Sequence, residues 1–77
     1  MITVSVGTST QRKQIMVSED KTPAEIFEEE NVTYEGAVVY FNGAPIQDKL
    51  DTPLKEFTLR EGRPNLLTAI IKADSAM

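Results

Sequence analysis

The N-terminal part of the chain alternates apolar and polar side chains in two stretches. Residues 2–6 place an apolar side chain at every second position, which is the period of a β-strand with one buried face. A cluster of turn-forming residues follows at positions 7–10, and Ile15 and Val17 then resume the alternation. Two alternating stretches joined by a short polar turn predict a β-hairpin.

Thr22 and the residues after it carry the signals of a helix start. The Thr22 hydroxyl can accept a hydrogen bond from the Glu25 N–H, while the Glu25 carboxylate reaches back to the Thr22 N–H, which is a capping box. Pro23 occupies the first helical position, where its missing N–H costs nothing. The helix is expected to end near Asn31, and a helix of about nine residues needs packing against a sheet to persist. The apolar residues expected to face that sheet are Ile26, Phe27 and Val32.

Two further strands are predicted in the second half of the chain. Residues 37–41 form a β-branched and aromatic run that is closed by the strong turn dipeptide Asn42-Gly43. Residues 54–57 follow a Thr-Pro pair but are too few for a regular helix, so a single 3₁₀-like turn is predicted. Residues 66–71 are the most continuously apolar segment, which is typical of a central strand.

The predicted elements follow the order hairpin, helix, strand, turn, strand. The first and last strands are both apolar enough to be central, so we expect them to pair in parallel with the helix crossing one face. The sequence therefore predicts an α+β fold, the β-grasp, with a mixed four-stranded sheet of order 2-1-4-3 and one helix on one face. The expected domain spans residues 1–73, and residues 74–77 form a short flexible tail.

Composition narrows the possible functions. The 77 residues allow one small domain, and the chain has neither Cys nor His. Disulfides, thiolate chemistry, imidazole bases and zinc sites are therefore excluded. We expect no enzymatic activity, no catalytic residues, no cofactor and no metal site.

Charge is concentrated in one segment. The chain has 8 basic and 12 acidic residues, and six of the acidic residues lie at positions 19–30 with a single Lys. A clustered basic surface of the kind that binds phosphates is missing, so no nucleic-acid partner is expected. The N-terminus has no basic n-region of a signal peptide, and no apolar run approaches the length of about 20 residues that spans a bilayer. We therefore predict a cytoplasmic protein with no membrane contact.

The sequence resembles ubiquitin over almost the whole chain. The most specific part of the resemblance lies in the second half. Ubiquitin has the same order of an apolar strand, a Phe-x-Gly turn, a Thr-Leu turn and a last strand. The matching positions here are residues 38–43 together with Ile46, Asp48, Thr52, Leu54, Phe57 and Leu59. The resemblance implies a ubiquitin-like fold.

The chain departs from ubiquitin at its C-terminus, at one turn residue and in its helix, which is expected to be shorter. The chain also lacks counterparts of the family's main acceptor lysines. It ends Asp74-Ser75-Ala76-Met77, without the Gly-Gly that ubiquitin and related sulfur carriers use for activation. The activating enzymes admit Gly because it lacks a Cβ, so the resemblance implies no competence for conjugation. Phe57 replaces the family's turn Tyr and loses a hydroxyl hydrogen bond.

Alternation along the strands separates a core face from an outward face. The residues assigned to the core are Ile2, Val4, Val6, Ile15, Val17, Ile26, Val39, Phe41, Leu50, Leu54, Phe57, Leu59, Leu67, Ala69 and Ile71. The residues assigned outward are Thr3, Ser5, Met16, Val38, Tyr40, Leu66, Thr68, Ile70 and Lys72.

The outward set contains a candidate protein-binding surface. Its proposed members are Met16, Val38, Tyr40, Leu66, Thr68 and Ile70. Tyr40 and Ile70 fall where ubiquitin-like folds place their apolar partner-binding patch, and an exposed apolar cluster favours a protein contact. Scattered surface hydrophobics, an edge strand at residues 12–18 and the acidic helix are the alternatives.

The predicted function is a non-enzymatic ubiquitin-like protein–protein interaction module that is not competent for conjugation. The resemblance also favours a bacterial or mobile-element source, since single-domain eukaryotic relatives usually retain Gly-Gly. Alternative functions are a structural subunit of a larger assembly, such as the ubiquitin-like components of type VII secretion, and a small-protein modifier or sulfur carrier.

Overall fold

In the part of the chain that the structure describes, a mixed five-stranded sheet carries one helix on one face. The computed structural model describes residues 1–8 and 10–71, so Lys72 and the predicted tail at residues 74–77 lie outside the described residues. The elements are β1 (Ile2–Gly7), β2 (Arg12–Val17), α1 (Pro23–Glu29), β3 (Ala37–Phe41), β4 (Ala44–Pro45), a 3₁₀ turn (Leu54–Glu56) and β5 (Asn65–Ile71). No helix within these residues is long and apolar enough to cross a membrane.

The first and last strands lie side by side, as predicted. β1 pairs with β5 in parallel, with Val4 opposite Asn65 and Val6 opposite Leu67. β2 and β3 pair antiparallel to β1 and β5 respectively. The predicted hairpin, the third strand and the 3₁₀ turn are all present.

The predicted strand count and the order 2-1-4-3 are wrong, because the sheet has five strands in the order β2-β1-β5-β3-β4. Asn42 and Gly43 have φ values of 53° and 89°, and this left-handed turn brings β4 back beside Tyr40 and Phe41. A strand of two residues shows no alternation, so its sequence pattern does not reveal it.

The helix starts as predicted and is held by its first turn. Thr22 Oγ1 accepts a hydrogen bond from Glu25 N at 3.2 Å, and Thr22 N donates to Glu25 Oε1 at 2.9 Å. Ile26 and Phe27 are fully buried against the sheet. The regular helix ends at Glu29, so its seven residues depend on this packing.

The core lies between the helix and the sheet. Its buried apolar residues are Val4, Val6, Val17, Ile26, Phe27, Ala37, Val39, Phe41, Ile46, Leu54, Leu67 and Ala69. Ile2, Ile15, Leu50, Phe57 and Leu59, which were predicted as core, are partly buried around this cluster. The assignment of Ile71 to the core is wrong, because its side chain is 60% exposed. Ile71 is the last residue of β5 and borders an open cleft beside the end of the helix.

Three ionisable residues on the helix side have raised pKa values. The Lys21 ammonium pairs with the Glu29 carboxylate, and this hydrogen bond raises the pKa of Lys21 above its ordinary value. The hydrogen bond to Asp20, at 2.8 Å, raises the pKa of Lys55. Loss of hydration, followed by the Glu28 charge, raises the pKa of Tyr34.

These shifts predict that stability falls in alkaline solution. A pKa that is higher in the folded state stabilises the fold fully below the unfolded pKa, and this contribution is lost as pH rises through the folded value. The melting temperature is therefore expected to fall above about pH 10, and to fall less steeply in a Lys21→Gln/Lys55→Gln variant. Calorimetry of wild type and the variant across this pH range measures the two melting temperatures. Parallel curves of melting temperature against pH would contradict the stabilising role assigned to Lys21 and Lys55.

Candidate protein-binding face

The sheet has an open face, defined here as the face turned away from α1. Strand pairing arranges its residues in rows, with Val38 opposite Ile70 and Tyr40 opposite Thr68 between β3 and β5. Ser5 lies opposite Leu66 where β1 meets β5. The candidate residues of β3 and β5 are therefore neighbours on adjacent strands.

Exposure differs among the candidate residues. Met16 is 64% exposed, whereas Val38, Tyr40, Leu66 and Ile70 are half-buried. Thr68 is only 7% exposed, so it offers little surface to a partner. It lies on the central strand between Gly7 and Tyr40, so neighbouring strands cover it on both sides.

The structure brings four of the candidates together and leaves Met16 apart. We call Val38, Tyr40, Leu66 and Ile70 the apolar strip. Met16 lies on β2 opposite Thr3, two strand spacings, or about 10 Å, from β5. The polar residues of β1 separate it from the apolar strip, so Met16 would contact only a partner that extends across β1.

One end of the apolar strip is held by a buried asparagine that the sequence analysis missed. Asn65 is 2% exposed. Its Oδ1 accepts hydrogen bonds from Arg60 N at 2.8 Å and from Asn42 Nδ2 at 3.1 Å, and its Nδ2 donates to Thr3 O at 3.3 Å. A polar residue at an inward-facing position of an apolar strand is the signal that could have identified it.

Asn42 holds the same end of the strip through Leu66. Asn42 Oδ1 accepts from Leu66 N at 2.8 Å, and Asn42 N donates to Leu66 O at 2.8 Å. The Asn42 Nδ2 also donates to Thr58 O at 3.2 Å. Both backbone groups of Leu66 are thus bonded to one turn residue, so the start of β5 is fixed relative to the end of β3.

The two edges of the sheet differ in how their backbone groups are satisfied. Along the outer edge of β3, Val39 N donates to Gln47 Oε1 at 3.0 Å, Gln47 Nε2 donates to Ala37 O, and Ile46 N donates to Val39 O at 2.9 Å. The six residues of β2 have β1 as their one neighbouring strand among the described residues. The edge-strand alternative therefore has a geometric basis at β2.

The acidic side chains of the helix already have partners. Glu29 pairs with Lys21, and Glu30 lies 3.4 Å from the Lys13 ammonium. Glu28 accepts a hydrogen bond from the Tyr34 hydroxyl at 3.4 Å. These contacts weaken the case for the helix as a docking surface, and no cluster of acidic groups in residues 1–8 and 10–71 is arranged to hold a metal ion.

A cleft of about 730 Å³ lies between the hairpin turn and the end of the helix. It is open to solvent, and its charged side chains are Arg12, Lys13 and Glu30. Lys13 and Glu30 form an ion pair with each other across this cleft.

Comparison with known proteins finds no significant match among protein families, curated proteins or solved structures. The resemblance to ubiquitin therefore remains a prediction from the sequence.

Proposed function

We propose that this chain is a ubiquitin-like β-grasp domain that acts as a non-enzymatic binding module for a protein partner. The β-grasp assignment is supported by the parallel pairing of β1 with β5 and by one helix packed on one face of the sheet. The binding surface is the apolar strip. The observation that carries the proposal is the register that places Val38 opposite Ile70, beside Tyr40.

The strip suits a protein contact for energetic reasons. Its four apolar side chains keep part of their surface in water, and covering apolar surface contributes about 25 cal/mol per Å². Tyr40 adds a rigid aromatic side chain of the kind that is enriched at binding hot spots. The polar residues Thr3, Ser5 and Gln14 border the strip across β1 and β2, as expected for the rim of an interface.

The experiment compares three baits in an affinity capture from a lysate of the source cells. Ile70→Glu places a charge in the strip, and Gln14→Glu places the same charge on the open face at the exposed edge strand. Ile70→Glu is expected to abolish capture of a partner that wild type and Gln14→Glu both retain. Circular dichroism first checks that all three baits are folded.

The captured partner is then purified and titrated into the labelled protein. We expect at least a tenfold weaker affinity for Ile70→Glu, or about 1.4 kcal/mol, and NMR shift changes centred on residues 38, 40, 66 and 70. If Ile70→Glu binds the partner as tightly as wild type does, and the shift changes are confined to residues 12–17, the site lies at the β2 edge. This result would disprove the apolar strip as the binding surface.

A second candidate function is a structural subunit of a larger assembly. It is favoured by the β2 edge. Within residues 1–8 and 10–71, β2 has β1 as its one neighbouring strand, and an edge strand can add a strand from another chain. Light scattering together with an Ile15→Pro variant tests this function: a defined oligomer that the variant dissociates, with its fold retained, would support it. A monomer at all concentrations, with no co-purifying chain, would exclude it.

A further inference from the structure

Asn42 precedes Gly43 in the turn between β3 and β4. Asparagine is among the thermally labile residues, and a following Gly presents no side chain to hinder attack by its backbone nitrogen. In that reaction Gly43 N bonds to Asn42 Cγ, the bond from Cγ to Nδ2 breaks, and ammonia leaves. Water then opens the cyclic imide to give Asp or isoaspartate, so water is the one co-reactant.

The fold holds the Asn42 carboxamide in place. Its oxygen accepts from Leu66 N at 2.8 Å, and its nitrogen donates to Asn65 Oδ1 at 3.1 Å and to Thr58 O at 3.2 Å. These partners lie 16 to 24 residues further along the chain. Attack by Gly43 N requires the carboxamide to turn towards its own backbone, and that movement breaks the three hydrogen bonds.

We propose that Asn42 is a deamidation site that the native fold protects and that opening of the β3–β4 turn exposes. The modification would then mark molecules that have unfolded locally, since the reaction proceeds from the open state. This inference rests on the turn and its hydrogen bonds and is independent of the proposed binding function.

The product does not fit the native turn. A carboxylate formed from the Asn42 side chain would accept but not donate, and it would face two acceptors, Thr58 O and Asn65 Oδ1. Turning the Asn65 amide to supply a donor would sacrifice its bonds to Arg60 N and Thr3 O. Isoaspartate would lengthen the backbone of the turn and shift the pairing of β3 with β4. A modified molecule is therefore expected to refold less stably.

Two other asparagines in the chain serve as internal controls. Asn31 is exposed but is followed by Val32, and Asn65 is followed by Leu66. The bulky side chains of these following residues hinder the same attack in both the folded and the unfolded chain. A difference between conditions that appears at Asn42 alone therefore reports the protection that the folded state gives to this residue.

The first test measures deamidation at each asparagine by peptide mass spectrometry, in mildly alkaline buffer with and without guanidinium chloride. Asn42 is expected to react at least tenfold faster in the denaturant, which corresponds to an opening free energy of about 1.4 kcal/mol or more. Asn31 and Asn65 are expected to react slowly in both conditions. Equal rates at Asn42 in the two conditions would overturn the proposed protection.

The second test measures the effect of the product directly. Asn42→Asp reproduces one product, and Asn42→Gly is the matched control because Gly accepts the left-handed backbone without a side chain. The urea midpoints are expected to fall in the order wild type, Asn42→Gly, Asn42→Asp. An Asn42→Asp midpoint equal to or above that of Asn42→Gly would show that the carboxylate is tolerated and would overturn the proposed destabilisation.

Discussion

Leu67→Ala is expected to lower the free energy of unfolding by about 2–5 kcal/mol. Leu67 is 0% exposed and lies on the central strand between Val6 and Phe41, so truncation leaves a cavity in the middle of the core. A domain of this size has only about 3–5 kcal/mol of stability. The variant is therefore expected to be largely unfolded, with no cooperative urea transition by circular dichroism.

Leu66→Ala is the matched control for this experiment. It makes the same chemical change one residue away, on the half-buried open face, and is expected to cost about 1 kcal/mol or less. A retained urea transition for Leu66→Ala, beside its loss in Leu67→Ala, agrees with the assigned faces. The reverse result would show that the two faces of β5 have been exchanged.

Asn65→Leu is expected to destabilise the protein by about 1–3 kcal/mol, although it replaces a buried polar residue with an apolar one of similar size. The substitution removes the partners of Arg60 N, Thr3 O and Asn42 Nδ2. The cost arises because these groups lose the hydrogen bonds to Asn65 in a partly buried site. Urea unfolding followed by circular dichroism measures the change.

Gln14→Leu provides the comparison for Asn65→Leu. It also replaces an amide side chain with Leu, but at an exposed position of β2, and is expected to change the stability by no more than about 0.5 kcal/mol. Similar midpoints for Asn65→Leu and wild type would mean that the asparagine network makes no net contribution to stability.

The elements predicted from sequence are those specified by neighbouring residues. Alternation identifies β1 and β2, and the Thr22–Glu25 capping box identifies the start of α1. The run of β-branched and aromatic residues identifies β3. Each of these signals depends on side chains within a few residues of each other, so no long-range contact is needed to interpret it.

The features that sequence analysis missed depend on contacts between distant segments. β4 has two residues, and it is a strand because Asn42 and Gly43 turn it back along β3. Alternation assigns Ile71 to the core and Thr68 outward, but exposure depends on coverage by other segments. Ile71 borders an open cleft, whereas strands on both sides of Thr68 cover it.

The candidate binding surface also combines features set by the local sequence with features set by strand pairing. The sequence by itself determined which strand residues face away from the core, because side chains alternate with a period of two along each strand. Tertiary structure decided which of these residues become neighbours, because strand order and register depend on pairing between segments far apart in the chain. It placed Val38, Tyr40, Leu66 and Ile70 together on β3 and β5, separated Met16 from them by the width of β1, and fixed the end of the strip with the Asn42 and Asn65 amides.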